Sequence, residues 1–145
     1  MTFEDMLKRD GRLVYKTKGY SMNPMLYQNR DVVVISAKEK RLKKHDVAFY
    51  RRGNDHILHR VIKVRENDYL IRGDNTYRLE IVPEEDVLGV LTAFVRNGKE
   101  YSCTDTAYLR YVRFWCAVYP FRAVCVSFLR GIKRVLKKLG VKRRK

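Results

Sequence analysis

Residues 56–75 read HILHRVIKVRENDYLIRGDN, and they carry the clearest structural signal in the chain. Two runs rich in Ile, Val, Leu and Tyr, HILHRVIKVR and DYLIR, are separated by the turn residues REND, and a second turn, RGDN, follows them. Short runs of this composition between turn residues are typical of β-strands. The stretch therefore predicts two strands that are neighbours along the chain.

The same texture extends through residues 11–103. Four further strand-like runs, LVYKTKG, DVVVIS, DVAFY and VLGVLTAFV, are bounded by the turn residues NRD, RRGND and RNGK. RNGKEYS predicts a hairpin turn on Asn97-Gly98, and residues 3–9 fit a short helical turn. Several short strands at this spacing predict a mostly β domain.

The pattern changes after Asp105. Apolar residues now recur at intervals of three and four, which predicts a helix that breaks near Pro120 and a second, amphipathic helix that ends at Gly140. We therefore predict two parts, a β-domain over residues 1–105 and a basic, aromatic-rich helical segment over residues 106–145.

The positive charge is concentrated in the second part. The 145 residues carry a formal net charge of +16, and residues 106–145 contain 12 Lys or Arg and no Asp or Glu. Such a block favours a polyanionic partner or an anionic surface. Its interleaved aromatic residues favour binding to an anionic membrane surface through residues 108–145. Packing of the helix on the β-domain with only a solvated tail, or binding to nucleic acid, are the alternatives.

The sequence also indicates a compartment. The N-terminus lacks the apolar region of a secretory signal, and no run of 18 apolar, uncharged residues is present. Three cysteines without a CxxC pair favour a reducing environment. We predict a cytoplasmic protein, peripheral on the inner face of the membrane, with no cofactor and no metal, since no metal-ligand spacing appears.

Residues 19–26, GYSMNPML, place Ser21 in a turn-like segment. A serine hydroxyl is a weak nucleophile until a base accepts its proton, and the base in turn needs a group to orient it. His59 is the candidate base, because strand alternation puts it on the face that carries Ile57 and Val61. The candidate orienting acids are Asp74 and Glu80, which follow in and after the RGDN turn.

These motifs together resemble the S24/S26 serine peptidases, a group that includes signal peptidases and self-cleaving repressors. The series consists of G-x-S-M-x-P (residues 19–24), acid-led strands that begin at Asp31 and Asp46, LHRVI (residues 58–62) and RGDN (residues 72–75). The resemblance covers about residues 11–95. The histidine in LHRVI is similar to the histidine-type signal peptidases rather than to the lysine-type bacterial enzymes.

The resemblance implies a role for each matching residue. Ser21 matches the nucleophile, His59 the general base and Asp74 the acid of the G-D-N turn. Glu80 falls where the histidine-type enzymes carry a second, base-orienting aspartate. Whether Asp74 or Glu80 orients His59 is left open, since Asp74 also fits a turn brace and Glu80 an ordinary surface acid.

The resemblance also implies a fold and a mode of binding. The expected fold is a compact, coiled β-structure with Ser21 at the edge of a groove, where an extended peptide adds alongside a strand. Gly19, Met22 and Pro24 are the expected substrate-contacting residues, and the backbone N–H of Ser21 is the expected oxyanion donor. The predicted function is a serine endopeptidase that uses a Ser21–His59 dyad. The alternatives are a non-catalytic peptide-binding or regulatory module on the same fold, and a basic nucleic-acid-associated protein.

Overall fold

The computed structural model describes residues 1–140, and it confirms the mostly β prediction. In this part of the chain, eight strands form one curled antiparallel sheet, accompanied by three α-helices and one short 3-10 turn at Glu84–Asp86. The elements, in chain order, are α1 (Phe3–Asp10), β1 (Arg12–Lys16), β2 (Asp31–Ala37), β3 (Val47–Arg52), β4 (Asp55–Val64), β5 (Asp68–Arg72), β6 (Glu80–Pro83), β7 (Val87–Arg96), β8 (Lys99–Ser102), α2 (Thr106–Ala117) and α3 (Tyr119–Lys138).

The strands are ordered β1-β2-β7-β3-β4-β5-β6, and β8 pairs with β7 beside this path. The hairpin between β7 and β8 turns on Asn97 and Gly98, which both adopt the positive φ that such turns require. β1 and β6 are the two ends of the path. Within the described residues β1 pairs only with β2, so its other edge keeps free backbone groups.

The strand pairing places the side chains of β3 to β6 in one core. Ala48, Tyr50, Val61, Tyr69 and Ile71 are buried together there, with Leu42, Val82 and Val87 around them. Bulges near Val61 in β4 and near Tyr50 in β3 interrupt the ladder. Such irregularities increase local twist, and they accompany the curling of the sheet.

The sequence pattern did not predict β6. Its four residues contain only Ile81 and Val82 as strand-forming residues, Glu80 begins it, and the acidic residues Glu84–Asp86 follow it. The strand exists because it pairs with β5, where Ile71 faces Glu80. Tertiary pairing therefore decides its conformation, since local propensity is weak.

The chain divides into two units, Met1–Arg110 and Tyr111–Lys145. In the second unit, α3 leaves a series of apolar side chains exposed, which are Phe121, Val124, Phe128, Leu129, Ile132, Val135 and Leu136. No single helix in residues 1–140 is long and apolar enough to cross a membrane. The pair α2 and α3 reaches that length and composition only together, across a bend of 48°.

Candidate active site

The turn that carries Ser21 lies between β1 and β2. Met22, Met25 and Leu26 of this turn are buried, whereas Ser21 itself is partly exposed. The apolar side chains therefore anchor the turn in the core and leave the hydroxyl accessible. Among residues 1–140, no oxygen accepts a hydrogen bond from the backbone N–H of Ser21, so this donor is available to a ligand.

The RGDN turn holds the serine turn in place. The backbone N–H of Asn75 donates to the carbonyl oxygen of Ser21 at 2.8 Å, and its side-chain amide donates to the carbonyl oxygen of Tyr20 at 3.1 Å. The backbone N–H of Asp74 lies 3.5 Å from the sulfur of Met22. Two turns that are far apart in sequence are thus linked by their backbones.

Gly73 lies where the serine turn meets His59. A Cβ atom added to Gly73 would lie 2.5 Å from the carbonyl oxygen of Ser21 and 3.1 Å from Nε2 of His59. Both atoms therefore approach one point that only a glycine leaves empty. Among the hydrogen bonds of the described residues, none joins the Ser21 hydroxyl to His59. Catalytic hydrogen bonds often tighten only when substrate is bound.

His59 is held from its other ring nitrogen. Nδ1 lies 3.1 Å from the hydroxyl of Tyr50, which donates to Oε2 of Glu80 at 2.7 Å. Arg52 donates to Oε1 of the same carboxylate, also at 2.7 Å. Nδ1 is 4.0 Å from Glu80 Oε1, so the phenol is the closer partner. Four side chains thus form a continuous polar series, His59–Tyr50–Glu80–Arg52, which we call the groove cluster.

Burial keeps His59 and Tyr50 of the groove cluster uncharged. The pKa of His59 lies below its ordinary value, chiefly because burial disfavours the imidazolium, while the Glu80 charge opposes and the Arg52 charge reinforces this effect. The pKa of Tyr50 is raised by burial and by Glu80, so the phenol keeps its proton. His59 is therefore neutral and able to accept a proton near neutral pH.

Asp74 contacts a different partner. Its two carboxylate oxygens accept hydrogen bonds from Nε and Nη2 of Arg60, at 2.7 and 2.8 Å, and both side chains are buried. Arg60 also donates to the carbonyl oxygen of His45 and to the hydroxyl of Tyr108. Burial opposes the charge on Arg60, but the pairing with Asp74 outweighs it and raises the pKa of the guanidinium. We call this pair and its neighbours the buried clamp, since it fixes the RGDN turn to β4.

A groove of about 670 Å³ lies over Ser21 and His59. Of the residues predicted from sequence, Ser21, His59, Glu80, Gly19 and Met22 line it, whereas Asp74 and Pro24 are not among its lining residues within the described chain. Most of the lining comes from two segments, the end of β1 with the residues that follow it, and the start of β4. The lining residues are Phe3, Tyr15, Lys16, Thr17, Lys18, Gly19, Tyr20, Ser21, Met22, Leu26, Arg52, Asn54, Asp55, His56, Ile57, Leu58, His59, Thr76, Arg78 and Glu80.

Both of these segments offer backbone for pairing. Within residues 1–140, the edge of β1 that does not pair with β2 has no strand partner. In β4, the register with β5 begins only at Arg60, so in the described residues the segment 55–59 pairs with β3 alone. Free strand edges of this kind are where an extended chain can add by backbone hydrogen bonds.

Sequence reasoning missed Tyr50, Arg52 and the contact made by Gly73. Tyr50 stands in the run DVAFYRR as an ordinary strand aromatic, and its link to Glu80 depends on a strand, β6, that the pattern did not predict. A signal was present for Gly73, because the RGDN motif includes it. Only the folded chain reveals that its missing side chain lets the Ser21 turn and the ring of His59 approach each other.

No known protein family matches the sequence, and no curated protein matches it at a significant level. Among the described residues, no group of three or more His, Cys, Asp or Glu is arranged to hold a metal ion.

Proposed function

We propose that the chain is a serine endopeptidase with a fold of the signal peptidase and repressor-cleavage type, and that it cleaves a peptide bond in an extended segment or precursor. The observation that carries the proposal is the meeting of the Ser21 turn with Nε2 of His59 at Gly73, within a groove and with Nδ1 of His59 already bound by Tyr50. This combination supplies a nucleophile, a neutral base and an orienting group.

The reaction follows from these positions. The Ser21 oxygen attacks the carbonyl carbon of the peptide bond while Nε2 of His59 accepts the hydroxyl proton. The backbone N–H of Ser21, which has no acceptor within the described residues, donates a hydrogen bond to the tetrahedral oxyanion. The C–N bond then breaks, the leaving amine takes the proton from His59, and an acyl ester remains on Ser21. Water attacks this ester with His59 again as base, which releases the carboxylic acid and restores the serine.

The experiment is incubation of the full chain with a proteome-derived peptide library, followed by mass spectrometry of new N-termini. Ser21→Ala and His59→Ala should abolish the cleavages that the wild type makes. Ser127→Ala removes an exposed serine of α3, and His45→Asn keeps a residue that tolerates the positive φ at this position, so both serve as controls that retain activity.

The opposite outcome is equally clear. If the wild type produces no cleavage that Ser21→Ala loses, the peptidase proposal fails. Peptides that bind in the groove without being cleaved would then favour the non-catalytic module.

We also propose that α3 carries the protein to an anionic membrane surface, on the cytoplasmic face. Phe121, Phe128, Ile132 and Leu139 share one face of the helix by their spacing, and they are exposed. Lys133, Arg134, Lys137 and Lys138 lie on the other side, together with Arg130, and residues 106–145 contain no acid to offset them. An apolar face beside an entirely cationic one complements an anionic bilayer interface.

The test is sedimentation of the full chain with vesicles of phosphatidylcholine alone or mixed with phosphatidylserine, at two salt concentrations. Phe128→Asp should abolish binding to the anionic vesicles. Ser127→Asp makes the same change of charge on the polar side of the helix and should reduce binding only slightly. Equal losses in both variants would contradict a role for the apolar face of α3. Binding to duplex DNA with no binding to vesicles, at the same salt concentrations, would contradict membrane binding.

A further inference from the structure

We propose that Tyr50 is a positioning residue that couples Glu80 to His59 and thereby fixes which ring nitrogen of His59 carries the proton. The inference rests on the proposed peptidase function and deepens it. It also replaces the simple choice between two orienting acids with a phenol that stands between the acid and the base.

The Tyr50 hydroxyl lies between Glu80 and His59. Glu80 Oε1 is 4.0 Å from Nδ1 of His59, which is beyond hydrogen-bond length, while the Tyr50 hydroxyl lies 3.1 Å from Nδ1 and 2.7 Å from Glu80 Oε2. The acid therefore acts on the base through one intervening oxygen.

The chemistry of these groups fixes the direction of each bond. A phenol has one proton to donate, and a carboxylate can only accept. The Tyr50 hydroxyl donates to Glu80, so its oxygen can only accept from His59. Nδ1 of His59 must then carry the proton, and the lone pair is on Nε2, the nitrogen on the ring edge that lies against Gly73. This is the tautomer that a general base for Ser21 needs.

The fold makes the arrangement rigid. Tyr50 is 1 % exposed and packs among the core residues of β3 to β6, so its hydroxyl has little freedom to leave. Glu80 opens β6, where it is paired with Ile71, and Arg52 holds its second oxygen at the mouth of the groove. Tyr50 is thus locked in position by packing, and Glu80 is held by an ion pair.

The charged groups around His59 predict opposite effects on its titration. Glu80 from β6 and Asp74 from the turn after β5 favour the imidazolium, whereas Arg52 from β3 disfavours it; Tyr50 and the Ser21 turn contribute no charge. Glu80→Gln should therefore move the acid limb of the activity profile to lower pH. Arg52→Met should move it to higher pH.

The direct test is nitrogen-15 NMR of the full chain labelled at its three histidines, with His59 assigned by loss of its signals in His59→Gln. We expect the wild type to show the Nδ1–H tautomer at His59. Tyr50→Phe should convert it to a mixture or to the Nε2–H tautomer. The same variant should lower kcat by at least about tenfold with KM little changed, since general-base catalysis contributes roughly 10²- to 10⁴-fold to the rate.

Tyr69→Phe is the matched control. Tyr69 is also fully buried in the same core, but its hydroxyl accepts from the backbone N–H of Leu42 and does not contact His59. It should leave the tautomer of His59 unchanged. Thermal unfolding of both variants separates a loss of fold from a loss of positioning.

The outcomes are distinguishable. An unchanged His59 tautomer in a folded Tyr50→Phe variant would overturn the proposal, as would an altered tautomer with full Ser21-dependent activity. Absence of any Ser21-dependent cleavage in the wild type would instead overturn the proposed function, and with it the contribution of Tyr50 to catalysis. The tautomer measurement would still establish or exclude the link between Tyr50 and His59.

Discussion

His59 and Arg60 are consecutive residues of β4, yet they belong to two polar clusters with opposite properties. His59 faces the groove cluster, in which Glu80 and Arg52 remain partly open to solvent. Arg60 faces the buried clamp, where its guanidinium and the Asp74 carboxylate are almost completely shielded from water. Because successive side chains of a strand point to opposite faces, two adjacent residues of β4 belong to different clusters.

The contrast assigns different roles to two acids that look alike in sequence. A buried, bidentate ion pair is expensive to break, because the surviving charge is left without a partner away from water. A partly exposed carboxylate beside a phenol and an arginine can be altered at much lower cost. Asp74 therefore stabilises the turn beside Ser21, and Glu80 is the acid in contact with the phenol that binds His59.

The largest expected effect comes from breaking the buried clamp. Asp74→Ala should lower the free energy of unfolding by about 3–5 kcal/mol, since Arg60 is left buried and unpaired. Denaturation by urea measures the loss. Replacing both partners, as in Arg60→Met with Asp74→Leu, should be less destabilising than Asp74→Ala alone. A loss below about 1 kcal/mol in the single variant would contradict the structural role of Asp74.

Gly73→Ala should have the next largest effect. The added Cβ would meet the backbone oxygen of Ser21 at 2.5 Å, so the serine turn must shift. We expect a loss of about 1–3 kcal/mol in unfolding free energy, as for other overpacked sites, together with loss of peptide cleavage. Gly131→Ala is the control, because nothing lies within 4 Å of its added Cβ and it sits within α3. Full activity in Gly73→Ala would show that the contact between the two segments is dispensable.

Changing the groove cluster should cost little stability. Glu80→Gln keeps the size of the side chain and a hydrogen-bonding group for Tyr50, so we expect a change within about 1 kcal/mol. Measured beside Asp74→Ala, this variant tests whether Asp74 contributes more to stability than Glu80 does. A loss as large as that of Asp74→Ala would mean that both acids are structural.

The smallest expected effect is a pH dependence of stability from His59. Its pKa is lower in the folded chain than in the unfolded one, because burial disfavours the imidazolium. Its contribution to stability is thus fully present above the unfolded pKa and is lost as the pH falls through the folded pKa. Wild type should therefore lose more stability than His59→Gln between pH 7.5 and pH 5. Urea denaturation at both pH values measures the difference, and an equal loss would contradict the direction of the shift.

Much of the fold could be predicted from sequence, because strand-forming runs and turn residues alternate clearly over residues 11–103. β6 could not, since its strand conformation depends on pairing with β5. Within the site, the motif pattern singled out Ser21, His59, Asp74 and Glu80, but it could not assign the partners of the two acids. That assignment depends on which face of β4 each acid reaches. It also depends on Tyr50, because its hydroxyl reaches Glu80 only when the fold brings β3 and β6 close together.

Trapping an acyl ester on Ser21 would test the proposed peptidase chemistry without knowledge of the natural substrate. The full chain is mixed with a panel of peptide esters, quenched in acid and digested, and the modified residue is located by mass spectrometry. We predict an acyl adduct on Ser21 in the wild type that is strongly reduced in His59→Ala and absent in Ser21→Ala. Peptide cleavage that continues in Ser21→Ala, or adducts distributed over lysines with none on Ser21, would contradict the proposal that Ser21 is the nucleophile.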